Sequence, residues 1–191
     1  MQMAMKVSRV GIFIMAIVSV VAAMVATSCV AIDEFAPKQR SQIESYLGNK
    51  EYRVTSDSAY VHLAGNKFNV EPQQRPAGAA KGDKVTFNVE AYIFSGNSPK
   101  DLPYYTNKRY LAERLSENLN TEYWDFEPKE ATLGAGDVIN PLEEAFEGSI
   151  AGDSLLVFLT SSIAYGSEGM GAVPKDTPVM MILTVEELAT K

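Results

Sequence analysis

Leu133-Gly134-Ala135-Gly136-Asp137-Val138-Ile139-Asn140-Pro141-Leu142-Glu143-Glu144-Ala145-Phe146-Glu147-Gly148 is the most strongly punctuated stretch of the 191-residue chain. Leu133 to Gly136 reads as a turn, since its two glycines supply conformations that other residues disfavour. A compact helix start follows, with Asn140 as N-cap, Pro141 at the first helical position, and Glu143 and Glu144 in the first turn. Cap, ring and carboxylates each suit the free N–H groups and positive end of a helix. Gly148 closes it.

Strands flank this helix. Upstream, Val85, Phe87, Val89, Ala91 and Ile93 alternate with Thr86, Asn88, Glu90 and Tyr92, the pattern of a half-buried antiparallel strand that Gly96-Asn97-Ser98-Pro99 ends. Downstream, Leu155 to Thr160 is an apolar strand, and Pro178 to Glu187 is a last one with Val179, Met181, Leu183 and Val185 on one face. A long loop, Ala164 to Thr177, joins them. Further out, Lys38 to Leu47 reads as a short helix through Ile43, Tyr46 and Leu47. Tyr52 to Leu63 reads as a strand interrupted at Ser56-Asp57-Ser58, and Glu71 to Gly82 as loop. Lys108 to Leu119 reads as a helix with Leu111, Leu115 and Leu119 on one face. About five or six strands, one short central helix and long connections make an α+β pattern, an antiparallel sheet curling over a helix.

Composition removes several chemistries. At 46% apolar and 21% charged the chain is globular in type. Its formal charge of −7 argues against a nucleic-acid partner, because phosphate binding needs a basic face. One cysteine, Cys29, forms no intramolecular disulfide, and with the single histidine, His62, it falls short of the roughly four ligands of a structural zinc site. No metal or cofactor is expected. His62 lies within a strand, and no G-x-S-x-G turn accompanies it, so a serine triad is rejected.

The first residues read as an address. Lys6 and Arg9 precede an uncharged apolar run from Gly11 to Val25, and small residues Ala26-Thr27-Ser28 lead to Cys29. That order is a secretory signal peptide over residues 1–28. Ala26-Thr27-Ser28-Cys29 resembles the lipobox of bacterial lipoproteins, with Ala26 in place of the usual Leu or Val, which implies lipid attachment at Cys29. Residues 29–37 are then a tether, and Asp33 and Glu34 look like acidic export tags of some surface lipoproteins. The alternative is an uncleaved transmembrane anchor. Either reading puts the folded part outside the cytoplasm. The first makes it lipid-anchored at the outer membrane, on its periplasmic or surface side.

The stretch quoted at the outset, continued to Gly152-Asp153, resembles the central segment of FKBP-type peptidyl-prolyl isomerases. Ile163-Ala164-Tyr165-Gly166, followed by Gly169, Pro174 and an apolar strand, is similar to that family's Ala-Tyr-Gly loop and C-terminus. Lys81-Gly82-Asp83-Lys84-Val85 looks like its first domain strand. The likeness covers about residues 81–188 of a domain at 81–191, with an insertion near 100–130, and the arm at 38–80 is similar to what precedes the domain in many secreted bacterial members. The implied fold is an FKBP-like curved antiparallel sheet wrapped over a short central helix.

The resemblance implies catalysed rotation about an X-Pro bond in proline-containing peptides or exported proteins, with no cofactor. By position, Tyr165 offers its hydroxyl to the amide beside the proline, and the Ile139 N–H donates to a substrate carbonyl. Val138 and Ile139 line the pocket, and Val173 sits on its loop wall. Departures from the family are specific. Its pocket-floor tryptophan falls at Leu142, its strand tyrosine at Val89 and its last-strand aromatic at Met181. Its Phe-Asp pair falls near Tyr104-Tyr105-Thr106, where the Asp is missing, and a phenylalanine falls near Lys129 or Glu130. Together these losses are expected to weaken proline binding. Trp124 and Phe126 of the insertion either fold back as aromatic surface or only anchor the loop. Two further readings stay open: a catalytically inactive FKBP-like lipoprotein that binds a peptide or protein, and a surface lipoprotein that keeps only the fold.

Overall fold

A computed structural model of the chain describes residues 35–56, 58–64, 77–115 and 124–191. The expected leader at 1–28, Cys29, the start of the tether, the loop at 71–76 and the helix end at Leu119 lie outside the described residues. Helix α1 (Phe35–Leu47) leads into strands β1 (Arg53–Thr55) and β2 (Ala59–Ala64). The long strand β3 (Lys84–Ser95) is followed by β4 (Ser98–Pro99), β5 (Tyr105–Thr106), helix α2 (Arg109–Ala112) and β6 (Lys129–Thr132). Helix α3 (Asn140–Phe146), β7 (Ser154–Leu159) and β8 (Val179–Ala189) complete the order.

Among the described residues eight strands join in one antiparallel sheet of order β1-β2-β7-β8-β3-β4, with β5 and β6 also on the free edge of β3. The expected count of strands was lower because β4 and β5 span two residues each, too short to show a period. Lys84 of β3 pairs with Ala189 of β8 and Ile93 with Val179, so the two longest strands form the spine of the sheet.

The period of two sorts the side chains between two cores. Val85, Phe87, Val89 and Ile93 of β3, Leu155, Val157 and Leu159 of β7, and Val179, Leu183 and Val185 of β8 bury one face. That face curls around α3, whose Phe146 is wholly buried and meets Phe87 at 4.8 Å. Burying one such ring is worth about 1.5–3 kcal/mol. The opposite face carries Tyr60, Phe158, Met180 and Phe94, and α1 covers it with Ile43 and Leu47. Tyr46 of α1 packs against Phe94 at 5.4 Å and Phe158 at 5.6 Å. The sheet is thus buried on both sides where α1 lies across it.

Three helices differ from expectation. Helix α1 begins at Phe35 and not at Lys38, so residues 35–37 of the expected tether are already helical. Only Arg109–Ala112 of the expected Lys108–Leu119 helix is α-helical among the described residues. Arg114 and Leu115 bond three residues back, to Leu111 and Ala112, so the chain tightens into turns after a single winding. At α3 the cap is Ile139, not Asn140: the Ile139 carbonyl accepts from Leu142 and Glu143, and no side chain caps the end. The Glu143 carboxylate instead accepts from the Gly136 N–H at 3.0 Å, which ties the preceding turn to the helix.

Candidate functional site

Five segments bring the expected site residues to the α3 side of the sheet. Val89 and Met181 come from the spine strands β3 and β8. Tyr104 comes from the segment before β5, where its N–H donates to the Ala91 carbonyl at 2.7 Å. Val138 and Leu142 come from the start of α3, and Tyr165 and Val173 from the connection between β7 and β8. Val89 and Val173 are buried members of the α3-side core. Tyr104, Val138, Leu142, Tyr165 and Met181 are half-buried against that same core, together with Ile163 and Ala164.

Two expected residues stand apart. The Ile139 side chain is 44% exposed, because the residue caps α3 in extended conformation with its side chain outward. Among the described residues nothing accepts from the Ile139 N–H. Tyr105 is exposed and stacks on Trp124 at 6.2 Å, which stacks in turn on Phe126. The Arg109 guanidinium lies 4.2 Å over the Phe126 ring, and the Trp124 N–H donates to the Thr106 carbonyl. The two insertion aromatics therefore build a ladder on Tyr105, and their ring contacts are not with Tyr104 or Tyr165.

The polar centre is a pair of phenols. The Tyr104 and Tyr165 hydroxyls are 2.9 Å apart, and their rings meet edge to face. Burial first, and then the hydrogen bond shared with Tyr165, raise the Tyr104 pKa far above the usual phenol range, so this hydroxyl stays protonated. Among the described residues no three His, Cys, Asp or Glu side chains gather as metal ligands do.

Polar side chains tie the segment after Tyr104 to β3. Asn107 is buried; its Oδ1 accepts the Val89 N–H at 2.8 Å, and its Nδ2 donates to Asn88 and to the Glu127 carbonyl. The Thr106 hydroxyl donates to the Val89 carbonyl. These two side chains take over the pairing of β3 where β5 ends. Beside them Lys108 bridges to Glu90 at 2.7 Å, and Glu90 also accepts from Tyr92. A Thr-Asn pair just after an aromatic run, among turn residues, was the available signal.

The connection carrying Tyr165 winds through a tight turn, with Ile163 and Ala164 bonded to the Thr160 carbonyl and Gly166 to Ser161. It then folds on itself: Met170 and Val173 exchange backbone hydrogen bonds. Gly169 sits inside this fold at φ +70°, where a β-carbon would lie 2.5 Å from the Val173 carbonyl oxygen. His62, by contrast, is half-buried on β2 with Nδ1 against the Glu51 carbonyl.

Among comparisons with known proteins, a family model described as FKBP-type peptidyl-prolyl cis-trans isomerase matches residues 75–186. Solved structures with a similar fold include FkpA from Escherichia coli, at 17% identity and a TM-score of 0.50, covering 96% of this chain and 74% of that one. A peptidyl-prolyl cis-trans isomerase from Pseudomonas syringae pv. tomato str. DC3000 aligns at 13% identity and a TM-score of 0.49, covering 82% and 94% respectively. No curated protein matches the chain.

Proposed function

The chain belongs to the FKBP-type peptidyl-prolyl cis-trans isomerase family, and from that premise we propose that it catalyses rotation about X-Pro bonds in exported proteins, as a lipid-anchored protein of the cell envelope. Uncatalysed, the rotation faces a barrier of ~18–20 kcal/mol and takes tens to hundreds of seconds. No proton or nucleophile is required. Half-rotated, the amide has lost its resonance and prefers a dry setting, so a site that seats proline on apolar side chains favours the transition state.

Val89, Val138, Leu142, Val173 and Met181 supply the apolar seat in this reading, with Tyr104 at its edge. The Ile139 N–H is the donor for a substrate carbonyl, and its lack of an acceptor among the described residues supports that role. Tyr165 directs its hydroxyl to the amide beside the proline. The observation that carries the proposal is the Tyr104–Tyr165 hydroxyl pair on an otherwise apolar patch of core. Leu142, Val89 and Met181 leave less aromatic surface than the family has, so the expected activity is weak.

The test is the rate of a slow X-Pro step with purified protein. Acceleration that falls with Tyr165→Phe supports the assignment, and rates equal to the uncatalysed ones overturn it. The address is tested by mass spectrometry: an N-terminal, lipid-modified Cys29 is expected, and an unmodified Cys29 removes the anchor. Among the described residues no helix is long and apolar enough to cross a membrane.

A further inference from the structure

Both ends of the connection that carries Tyr165 and Val173 meet at one buried amide on α1. Gln39 is 3% exposed. Its Nε2 donates to the Ser161 hydroxyl and to the Asp176 carbonyl, each at 3.0 Å, and its Oε1 accepts the Ser161 N–H at 2.8 Å. Ser161 precedes Tyr165 and Asp176 follows Val173, so the amide closes the neck of the loop.

Inside the neck the bonds continue as a circuit. The Ser161 carbonyl accepts the Gly166 N–H at 2.7 Å, and the Gly166 carbonyl accepts the Asp176 N–H at 2.9 Å. Asp176 holds φ +52°, a left-handed conformation that a non-glycine residue keeps only when its surroundings enforce it. Tyr165 is the neighbour of Gly166, at the middle of this circuit. Gln39 itself lies outside residues 75–186, the part of the chain that the family model covers.

We propose that Gln39 is a positioning residue for Tyr165, so that α1 is part of the scaffold of the site and not only a cover for the far face of the sheet. The physical reason is satisfaction of buried groups. Without the amide, the Ser161 N–H and Asp176 carbonyl lose their partner in a place water reaches poorly, and the loop gains by opening. Opening moves the Tyr165 hydroxyl, and displacements near 1 Å cost on the order of a hundredfold in rate. The inference rests on the isomerase reading for its effect on rate, but not for its effect on the loop.

The experiment compares Gln39→Leu with Ile43→Val in the full chain. Ile43 is a buried residue of the same helix that faces the other core, so its variant weakens α1 without touching the neck. Amide hydrogen exchange at Gly166 and Asp176, thermal unfolding, and kcat/KM on a proline peptide are read for each. Gln39→Leu is expected to speed exchange at both amides about tenfold and to lower kcat/KM about tenfold, while Ile43→Val leaves both within twofold. Equal exchange in the two variants overturns the proposal, as does a rate loss that only follows the fall in unfolding temperature. Should the unaltered protein show no catalysis, the isomerase reading fails and exchange alone decides the role of Gln39. Should Gln39→Leu not fold, Ser161→Ala removes one bond of the neck, and unchanged exchange at Gly166 in that variant overturns the proposal.

Discussion

The hydroxyl oxygens of Tyr104 and Tyr165 lie 2.9 Å apart, in reach of a single shared hydrogen bond. One phenol donates and the other keeps its proton. If Tyr104 donates, the Tyr165 proton is left for a peptide amide, and the bond it accepts strengthens it as a donor. Losing one such bond in the transition state is worth about 0.5–1.5 kcal/mol, so Tyr165→Phe is expected to lower kcat/KM about two- to twelvefold. Tyr104→Phe is expected to cost less, and the double variant less than the product of the two. Steady-state rates of the three variants check this. Multiplying effects would mean that the hydroxyls act independently.

Alkaline stability follows from the same residue. The pKa values of Tyr104 and Tyr92 are both raised in the folded state, chiefly by burial and then by their hydrogen-bond partners Tyr165 and Glu90. Above the unfolded value of about 10, the unfolded chain sheds these protons first, so stability falls as pH rises. Below that value the contribution is fully present. Urea midpoints are expected to be level between about pH 8 and 9.5 and to drop beyond pH 10, less steeply in Tyr104→Phe. An equal slope in the variant would remove Tyr104 from the account.

Two glycines separate stability from activity. A β-carbon on Gly78 would lie 2.3 Å from the Gly148 carbonyl oxygen, a backbone atom held by the bond from the Gly148 N–H to Ala79. Gly78→Ala is expected to cost about 1–3 kcal/mol of global stability and leave the rate of the folded protein unchanged. Gly169→Ala strains the loop that carries Tyr165, and is expected to lower kcat/KM with little change in unfolding temperature. Thermal melts and rates on both variants distinguish the two. The reverse pattern would show that the loop is part of the cooperative core.

Leu142 offers a gain. The residue is half-buried against the α3-side core at the position where the family carries a tryptophan. Leu142→Trp is expected to tighten binding of a proline peptide by about 1 kcal/mol, roughly fivefold, through added aromatic contact. Titration with the peptide measures it. No change would mean that Leu142 does not face the ligand.

Strand parity was the most legible part of the molecule. The alternation from Val85 to Ile93 and from Val179 to Val185 assigns the α3-facing core residue by residue. The other parity carried less information: Phe94, Phe158 and Met180 are as apolar as their neighbours, and nothing local says that α1 buries them. Gln39 was invisible for a related reason. A glutamine on a helix reads as solvated, and its partners Ser161 and Asp176 come from the far end of the chain. The cap of α3 was misjudged because Asn140-Pro141 satisfies the usual pattern, whereas the first helical bonds close on Ile139. Of the site residues, the half-buried placement of Tyr104, Val138, Leu142, Tyr165 and Met181 could be anticipated, but the outward side chain of Ile139 could not.

The pairing of Lys84 with Ala189 sets the order in which the molecule can assemble. The spine strand β3 is synthesised well before its long partner β8, with α3 and β7 between them. Until then β3 has only the short strands β4, β5 and β6 to pair with, and β2 waits for β7. Such distant pairings make for slow folding, because the entropy of closing the loop precedes the reward. During synthesis the chain therefore passes through a stage with a long apolar strand edge unpaired, when it is most exposed to aggregation. A protein proposed to hasten the folding of others has a topology that slows its own.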